Sequence, residues 1–268
     1  MKNTYLRHLA LQALLIHDPV EKAALVKQLQ QAWSLPVGAD LCLDEPSAGV
    51  PGRPTKPLIV PPQQVKQRSL HTAEGRAALL HALAHIEFNA INLALDIIWR
   101  YANLPDNFYG DWLCVAYEEV VHFELLNAHL HRLGFAYGDF PAHDGLWDMA
   151  ERTKDDLVAR LALVPRTLEA RGLDACPVVR AKLAQAGDEQ AAAILDIILR
   201  DEVGHVALGN TWYRWLCDQQ QLDAIALYPE LAEDYRAPRL RGPFNIPARL
   251  AAGFHAEEID YLQRQAQS

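Results

Sequence analysis

Between residues 70 and 101 apolar side chains return at alternating intervals of four and three: Leu79, Leu83, Ile86, Ala90, Leu93 and Ile97. That spacing is the seam of one long amphipathic helix. NLPDN at 103–107 breaks it, and a second helix is predicted over about 109–134, ending at Gly134. A third pattern starts near Leu146 and runs to Arg171-Gly172, where the glycine reads as a stop. Residues 173–187 read as a connector with one short helix after Pro177, and Asp188 can cap a fourth helix over about 189–218. Ahead of these lies one helix, about 20–33, and then six prolines between positions 46 and 62, which deny that segment regular structure and lay it extended over the surface. Residues 229–249 are again Pro- and Arg-containing, with a short helix after them. Strand-like alternation is absent. The expectation is an all-α fold: an antiparallel four-helix bundle over 69–220, an N-terminal helix and Pro-rich arm over 1–68 packed on it, and a C-terminal extension over 221–268, together one structural domain.

Composition narrows the class. With 268 residues, half of them hydrophobic, the chain can build one large core or two small ones. A net charge of −9 argues against a general nucleic-acid binder, whose affinity comes from neutralising phosphates. One basic stretch departs from this, YRAPRLRGPFNIPAR, with Arg236, Arg239, Arg241 and Arg249. It reads as a local anion-facing patch or, by preference, as surface charge on a loop. Cys42, Cys114, Cys176 and Cys217 show no C-x-x-C spacing and read as reduced, mostly buried thiols of a cytoplasmic protein. The N-terminal residues lack an uncharged apolar core and a small-residue cleavage site. No run reaches about 18 uninterrupted apolar residues, so no membrane association is expected.

Chemistry enters with a repeated phrase. Residues 118–127 read EEVVHFELLN and residues 201–210 read DEVGHVALGN, so Glu-Val-x-His-x-x-Leu-x-Asn occurs twice, 83 positions apart. Glu-x-x-His alone is a weak motif: 15 Glu and 11 His in this length yield about 0.6 by chance. Context is stronger. On a helix, i and i+3 share a face, so Glu119/His122 and Glu202/His205 each present a carboxylate and an imidazole in one direction. Val115, Ala116 and Phe123 flank the first pair, and Ile198, Leu199 and Val206 the second. An ionised carboxylate in such a stripe is costly unless a cation sits beside it. This is the pattern of a dinuclear carboxylate centre in a bundle core, which needs one further Glu from each of the other two helices.

Glu87, between Leu83, Ala84, Ala90 and Ile91, supplies the first; it precedes Glu119 by 32 residues. The same distance back from Glu202 reaches Glu169, 33 residues earlier, as a duplicated helix pair requires. Glu169 lies near the expected end of its helix, among Pro165, Arg166, Gly172 and Leu173. Its rival is Glu151, whose neighbours Trp147, Asp148, Lys154 and Asp155 look like a solvated face. Glu169 is favoured and Glu151 stays open.

At HALAHIEFNAINLALD (81–96), EEVVH, RDEVGH and LVPRTLEARGLD (163–174) the chain resembles the ferritin-like di-iron carboxylate superfamily and, more closely, a bacterial branch related to the non-haem di-iron tRNA hydroxylase. The superfamily likeness covers about 80–215; the closer one extends over most of the chain. It implies a ferritin-like bundle in which Glu87, Glu119, His122, Glu169, Glu202 and His205 bind two irons, or iron with manganese, or manganese alone, and react with dioxygen. It supplies neither a substrate nor an electron donor.

Around these ligands, Glu124 reads as a supporting or structural acid. His81 and His85 read as packing or hydrogen-bonding groups, and Asp201 as a carboxylate that orients a ligating imidazole or caps the helix. Trp99, Tyr101, Trp112, Tyr117, Trp212, Tyr213 and Trp215 read as core, with Tyr117 and Tyr213 the candidates for redox activity. The functional expectation is an oxidoreductase activating dioxygen, a hydroxylase or monooxygenase. The alternatives are a metal-handling protein (ferroxidase, storage or peroxide scavenging) and a metal-free helical interaction module. The likeness suggests tRNA, but the net charge of −9 and the lack of a base-reading motif disfavour RNA without excluding it; a homodimer stays open.

Overall fold

Thr72 ends an extended stretch, and its hydroxyl accepts from the Gly75 N–H at 3.0 Å, which starts the long apolar helix α3, Ala73–Arg100. The protein is described by a computed structural model covering residues 5–32 and 35–267; Trp33, the expected last residue of the first helix, lies outside the described residues. Two helices precede α3: α1, Leu6–Leu15, and α2, Pro19–Gln31. Asp18 caps α2 by accepting from the Val20 and Glu21 N–H groups, with Pro19 at the first helical position. Helix α1 is absent from the sequence reading. It is short and its N-cap Tyr5 makes no side-chain capping bond, so no local signal announces it.

A link at 101–105 turns the chain into α4, Asp106–Arg132, and Gly134 takes φ +83° just beyond its end, where a stop is predicted. Helices α3 and α4 form a packed pair, with α1 laid on α3 and α2 on α4. From Glu87 to Trp99 every residue of α3 is buried, whereas in its first half the buried face is Ala77, Leu80, His81, Ala84 and His85. The predicted seam is therefore rotated there: Leu79 and Leu83 are half-buried and Ile86 is 44% exposed. Alanine packs as readily as leucine when backbones approach closely, so periodicity alone does not choose between two apolar stripes. Among the described residues α3 alone has the length and composition of a membrane span, and 72% of that window is buried in protein, as in the core helix of a soluble domain.

The proline-rich segment carries a 3-10 turn at Pro62–Gln64 and otherwise no helix. It is tied down where Val60 N–H donates to the Ala142 carbonyl (2.8 Å) and Ala142 N–H to that of Leu58 (3.0 Å).

Beyond Gly145 the predicted single third helix is three elements. Helix α5, Gly145–Arg152, stops because Thr153 and Arg160 take its last carbonyls: the Thr153 hydroxyl donates to Met149 O (2.8 Å) and Arg160 Nη2 to Ala150 O (2.5 Å). Asp156 then caps α6, Leu157–Leu163. Pro165 has no N–H to continue that helix, and the chain widens into a π turn, Val164–Glu169, with the Thr167 hydroxyl reaching back to Ala162 O at 2.8 Å. Helix α7, Ala170–Gln185, follows without a break. Gly172 does not stop it, since it does not take the left-handed conformation of a terminating glycine. The left-handed glycine is Gly187, φ +80°, ahead of α8, Glu189–Gln219, which Asp188 caps as predicted. Helices α9, Ala224–Asp234, α10, Ile246–Ala251, and α11, Ala256–Gln267, complete this half.

The described residues are all-helical, apart from one isolated bridge between Ile59 and Ala142. They divide into two compact units, one up to Asp144 and one from Gly145. The sequence suggests boundaries at 68 and 220 instead. The difference arises because each addition packs inside its own half: α1 and α2 on α3 and α4, α9 and α10 on α6, α7 and α8. Of the cysteines, only Cys176 and Cys217 are buried; Cys42 and Cys114 are exposed, and none of the four forms a disulfide among the described residues. Arg236, Arg239 and Arg241 are exposed as expected, but Arg249 is fully buried and paired with Asp174 at 2.6 Å.

Helix α8 lies against the π turn at Gly209, where an added Cβ would meet the Pro165 Cβ at 2.8 Å. Gly209→Ala is expected to destabilise the protein by about 1–3 kcal/mol through overpacking against a ring that cannot rotate away. Urea denaturation measures this, and a change within about 0.5 kcal/mol would show that the π turn gives way freely.

Candidate metal centre

In the first unit α3 contributes Glu87 and α4 contributes Glu119 and His122, the last two one helical turn apart. They are 3%, 1% and 0% exposed. One oxygen of each carboxylate and one ring nitrogen lie within 4.8 Å of one another. His122 Nδ1 stands 3.3 Å from Glu119 Oε2 and 3.4 Å from Glu87 Oε2. A single ring N–H serves one acceptor well; its shorter contact is to Glu119, and the buried Glu87 Oε2 is left with the longer one. Burial, then the neighbouring Glu119 carboxylate, raises the Glu87 carboxyl well above the usual range. Burial opposes charge on His122, but Glu119 and Glu87 lift it to about 11.

Two carboxylates pressed together around one ring nitrogen in an apolar site form a cage that a cation would relieve. Carboxylate oxygens with an imidazole nitrogen suit iron, manganese or zinc. On the same two helices Phe88, Val115, Ala116, Val120 and Phe123 are all buried.

In the second unit α8 carries Glu202 and His205 on one face, Nδ1 to Oε1 3.9 Å, with His205 buried and Glu202 nearly so. Glu169 closes the π turn, which packs on α8, and is half-buried between buried Leu168 and Ala170. Its rival Glu151 is on α5, 46% exposed and paired with Lys154 at 2.6 Å, on the solvated face its neighbours suggest.

The supporting residues fall in several places. Glu124 accepts from Lys27 Nζ at 2.5 and 2.6 Å, a strap between α2 and α4. Asp201 accepts from the adjacent Arg200 guanidinium at 2.7 Å. His85 is engaged at both ring nitrogens, by the Tyr137 hydroxyl at 2.8 Å and by Asn89 at 3.0 Å. Burial, with the nearby His81, Arg53 and His143, pushes it down to about 3, so it is a neutral hydrogen-bonding group. Tyr137 is missing from the sequence reading. It comes from the loop after α4, where no periodicity points to it, yet it stacks on His81 and packs against Phe88 and Phe123. Tyr213 is buried and donates to the Ala224 carbonyl, and Tyr117 is half-buried.

His81 yields a pH dependence. It is fully buried, its Nε2 accepts from the Gly138 N–H at 2.9 Å, and burial lowers it to about 4. Its ordinary value is about 6.5. Between those values the unfolded chain binds the proton and the native chain does not. The contribution is therefore complete above pH ~6.5 and is lost as pH falls toward ~4, on the order of 3 kcal/mol in all. His81→Gln, which keeps an acceptor for Gly138 without titrating in this range, is expected to flatten the acid limb of a stability-versus-pH curve. A limb of unchanged steepness would remove His81 as its cause.

Residues 15–260 match the family described as protein of unknown function DUF455. An uncharacterised protein of Haemophilus influenzae is 47% identical over 268 residues, covering 96% of this chain and 93% of its own length. No solved structure matches. With the family profile matched over most of its length, the chain belongs to the DUF455 family.

Proposed function

We propose that this chain is a ferritin-like di-metal carboxylate oxidoreductase, with two irons or iron and manganese, that activates dioxygen for a hydroxylation or related oxidation. The observation that carries the reading is the buried Glu87–Glu119–His122 cluster, whose two crowded carboxylates face one imidazole in an apolar setting. Support for a second half comes from the repeated phrase: Glu202 and His205 are assigned as the counterparts of Glu119 and His122, and Glu169, at the matching spacing, as the counterpart of Glu87. A four-carboxylate, two-histidine set of this kind is the ligand pattern of ferritin-like di-iron proteins.

In this reading the glutamates hold the cations and offset their charge, and the two imidazoles each fill one position. Phe88, Phe123 and Val120 keep bulk water from the metal-facing side of α3 and α4. When bound, such metals supply the electrons for reducing dioxygen. Tyr137, lying against Phe88 and Phe123, is hydrogen-bonded to His85 Nδ1 at 2.8 Å and keeps that ring turned to its own partners.

The test is dioxygen uptake. Anaerobic protein loaded with Fe(II) is mixed with aerated buffer and followed with an oxygen electrode, with Glu119→Ala as control and gel filtration alongside. Uptake that is fast in the wild type and reduced at least about a hundredfold in the variant, in a small oligomer, supports the reading. A very large shell accumulating many irons per chain would move the protein to metal storage, and no difference between wild type and variant would remove the centre altogether.

A further inference from the structure

The second unit holds a cavity of about 250 Å³, independent of the carboxylate cluster and involving none of its residues. Arg166, Arg249, Tyr228, Leu240, Phe254 and Tyr261 form most of its lining. Its two inner arginines are 2% and 0% exposed, whereas Glu257 and Arg264, also in its lining, are exposed, so the cavity runs from surface to buried guanidinium.

The π turn aims Arg166 here. Its Nε donates to Asn210 Oδ1 at 2.6 Å and Nη2 pairs with Glu258, while the guanidinium lies 4.6 Å from the Tyr213 ring centre, 5.0 Å from Tyr228 and 5.3 Å from Phe254. Glu258 is saturated, since it also takes Arg214 at 2.9 Å and the His255 N–H at 2.8 Å. Arg249 is not saturated. Its Nε and Nη2 grip Asp174 at 3.1 and 2.6 Å, but Nη1 is buried and has no partner among the described residues. Buried donors of a charged group are rarely left unpaired, and such an orphan in a cavity wall marks where a ligand acceptor belongs.

Charge and shape narrow the ligand. The lining carries three guanidiniums (Arg166, Arg249, Arg264) against two carboxylates (Glu257, Glu258), a surplus of one positive charge. That matches a monoanion better than a phosphate dianion. Three aromatic rings in the wall offer faces to a flat apolar body. At roughly 30 Å³ per water the space holds about eight waters, room for an organic molecule on the order of ten non-hydrogen atoms. We propose that this cavity binds a small aromatic monocarboxylate, its carboxylate accepting from Arg249 Nη1 and its ring lying among Tyr228, Phe254 and Tyr261.

Isothermal titration of the full chain with benzoate, 4-hydroxybenzoate and phenylacetate tests this, beside neutral benzamide and inorganic phosphate. Two variants accompany the wild type. Leu240→Trp fills the cavity without touching its charges, and Arg249→Lys keeps the pairing with Asp174 but deletes the Nη1 donor. Circular dichroism confirms folding. The expected result is a carboxylate Kd on the order of a millimolar or tighter, as befits a ligand of this size. Benzamide should bind at least about tenfold more weakly, and both variants should lose at least about tenfold. Absence of binding by every carboxylate overturns the proposal. So does equal binding of benzamide, a preference for phosphate, or carboxylate affinity unchanged in a folded Leu240→Trp variant.

Discussion

Purified from medium supplemented with iron and manganese, the chain is expected to carry about two transition-metal ions, and a Glu119→Ala/Glu202→Ala variant close to none, by inductively coupled plasma mass spectrometry. A second readout separates metal binding from architecture. Glu119 accepts from the buried His122 ring at 3.3 Å and helps hold it charged, so Glu119→Ala leaves a buried imidazole without that partner even in the metal-free protein. The variant is therefore expected to be less stable than wild type, and its Tm, unlike that of the loaded wild type, should not respond to a chelator. A ligand bound at a hundred times its Kd contributes about 3 kcal/mol. In a chain of this size that corresponds to a fall of roughly 6–12 °C in Tm on treatment with a chelator. Equal metal in both proteins, or a chelator with no effect on Tm, would sink the di-metal proposal. A variant that unfolds would instead make Glu119 a structural acid.

Arg7→Met is expected to destabilise the first unit by about 3–5 kcal/mol, the range for stripping a buried charged donor from its acceptors. Arg7 is 1% exposed and donates to five backbone carbonyls. Two are at the end of α3, Ile98 O at 3.2 Å and Trp99 O at 2.7 Å. Three are in the loop beyond α2, Gly38 O at 3.1 Å, Ala39 O at 3.3 Å and Leu41 O at 2.5 Å. A helix end leaves carbonyls without intrahelical donors, and here one side chain from α1 supplies them. Arg7→Lys should recover only part of the loss, because an ammonium offers three donors in place of a planar fork of five. Denaturant unfolding of both variants checks this. A loss below about 1 kcal/mol for Arg7→Met would mean that water replaces the guanidinium at those carbonyls.

Lys22 repeats this arrangement in the same unit: its ammonium, fully buried, donates to Leu14 O at 3.1 Å, Gly52 O at 3.2 Å and the side chain of Asn92. Neither Arg7 nor Lys22 was legible in the sequence. A basic residue on a short N-terminal helix reads as a solvent-facing charge until the helix is laid against α3. The same holds for Arg249, which reads as a loop charge beside Arg239 and Arg241 until its pairing with Asp174, 75 residues away, is visible.

What the sequence determined by itself is what short-range physics governs. The helical character of 73–100, 106–132 and 189–219 follows from apolar periodicity and from side-chain caps such as Thr72 and Asp188. The gathering of Glu87, Glu119 and His122 was legible because i, i+3 spacing and apolar flanks are local properties, and a hairpin of known length brings one helix back along the other. Tertiary structure decided which stripe of α3 faces inward, where Ile86 lost to Ala84 and His85. It also placed the break that divides one expected helix at Thr153, and widened the chain at Pro165 to turn Arg166 into the core of the second unit. Those outcomes depend on which carbonyls a distant side chain reaches and which backbones approach closely. Local spacing carries no record of either, because the partners lie tens of residues away along the chain.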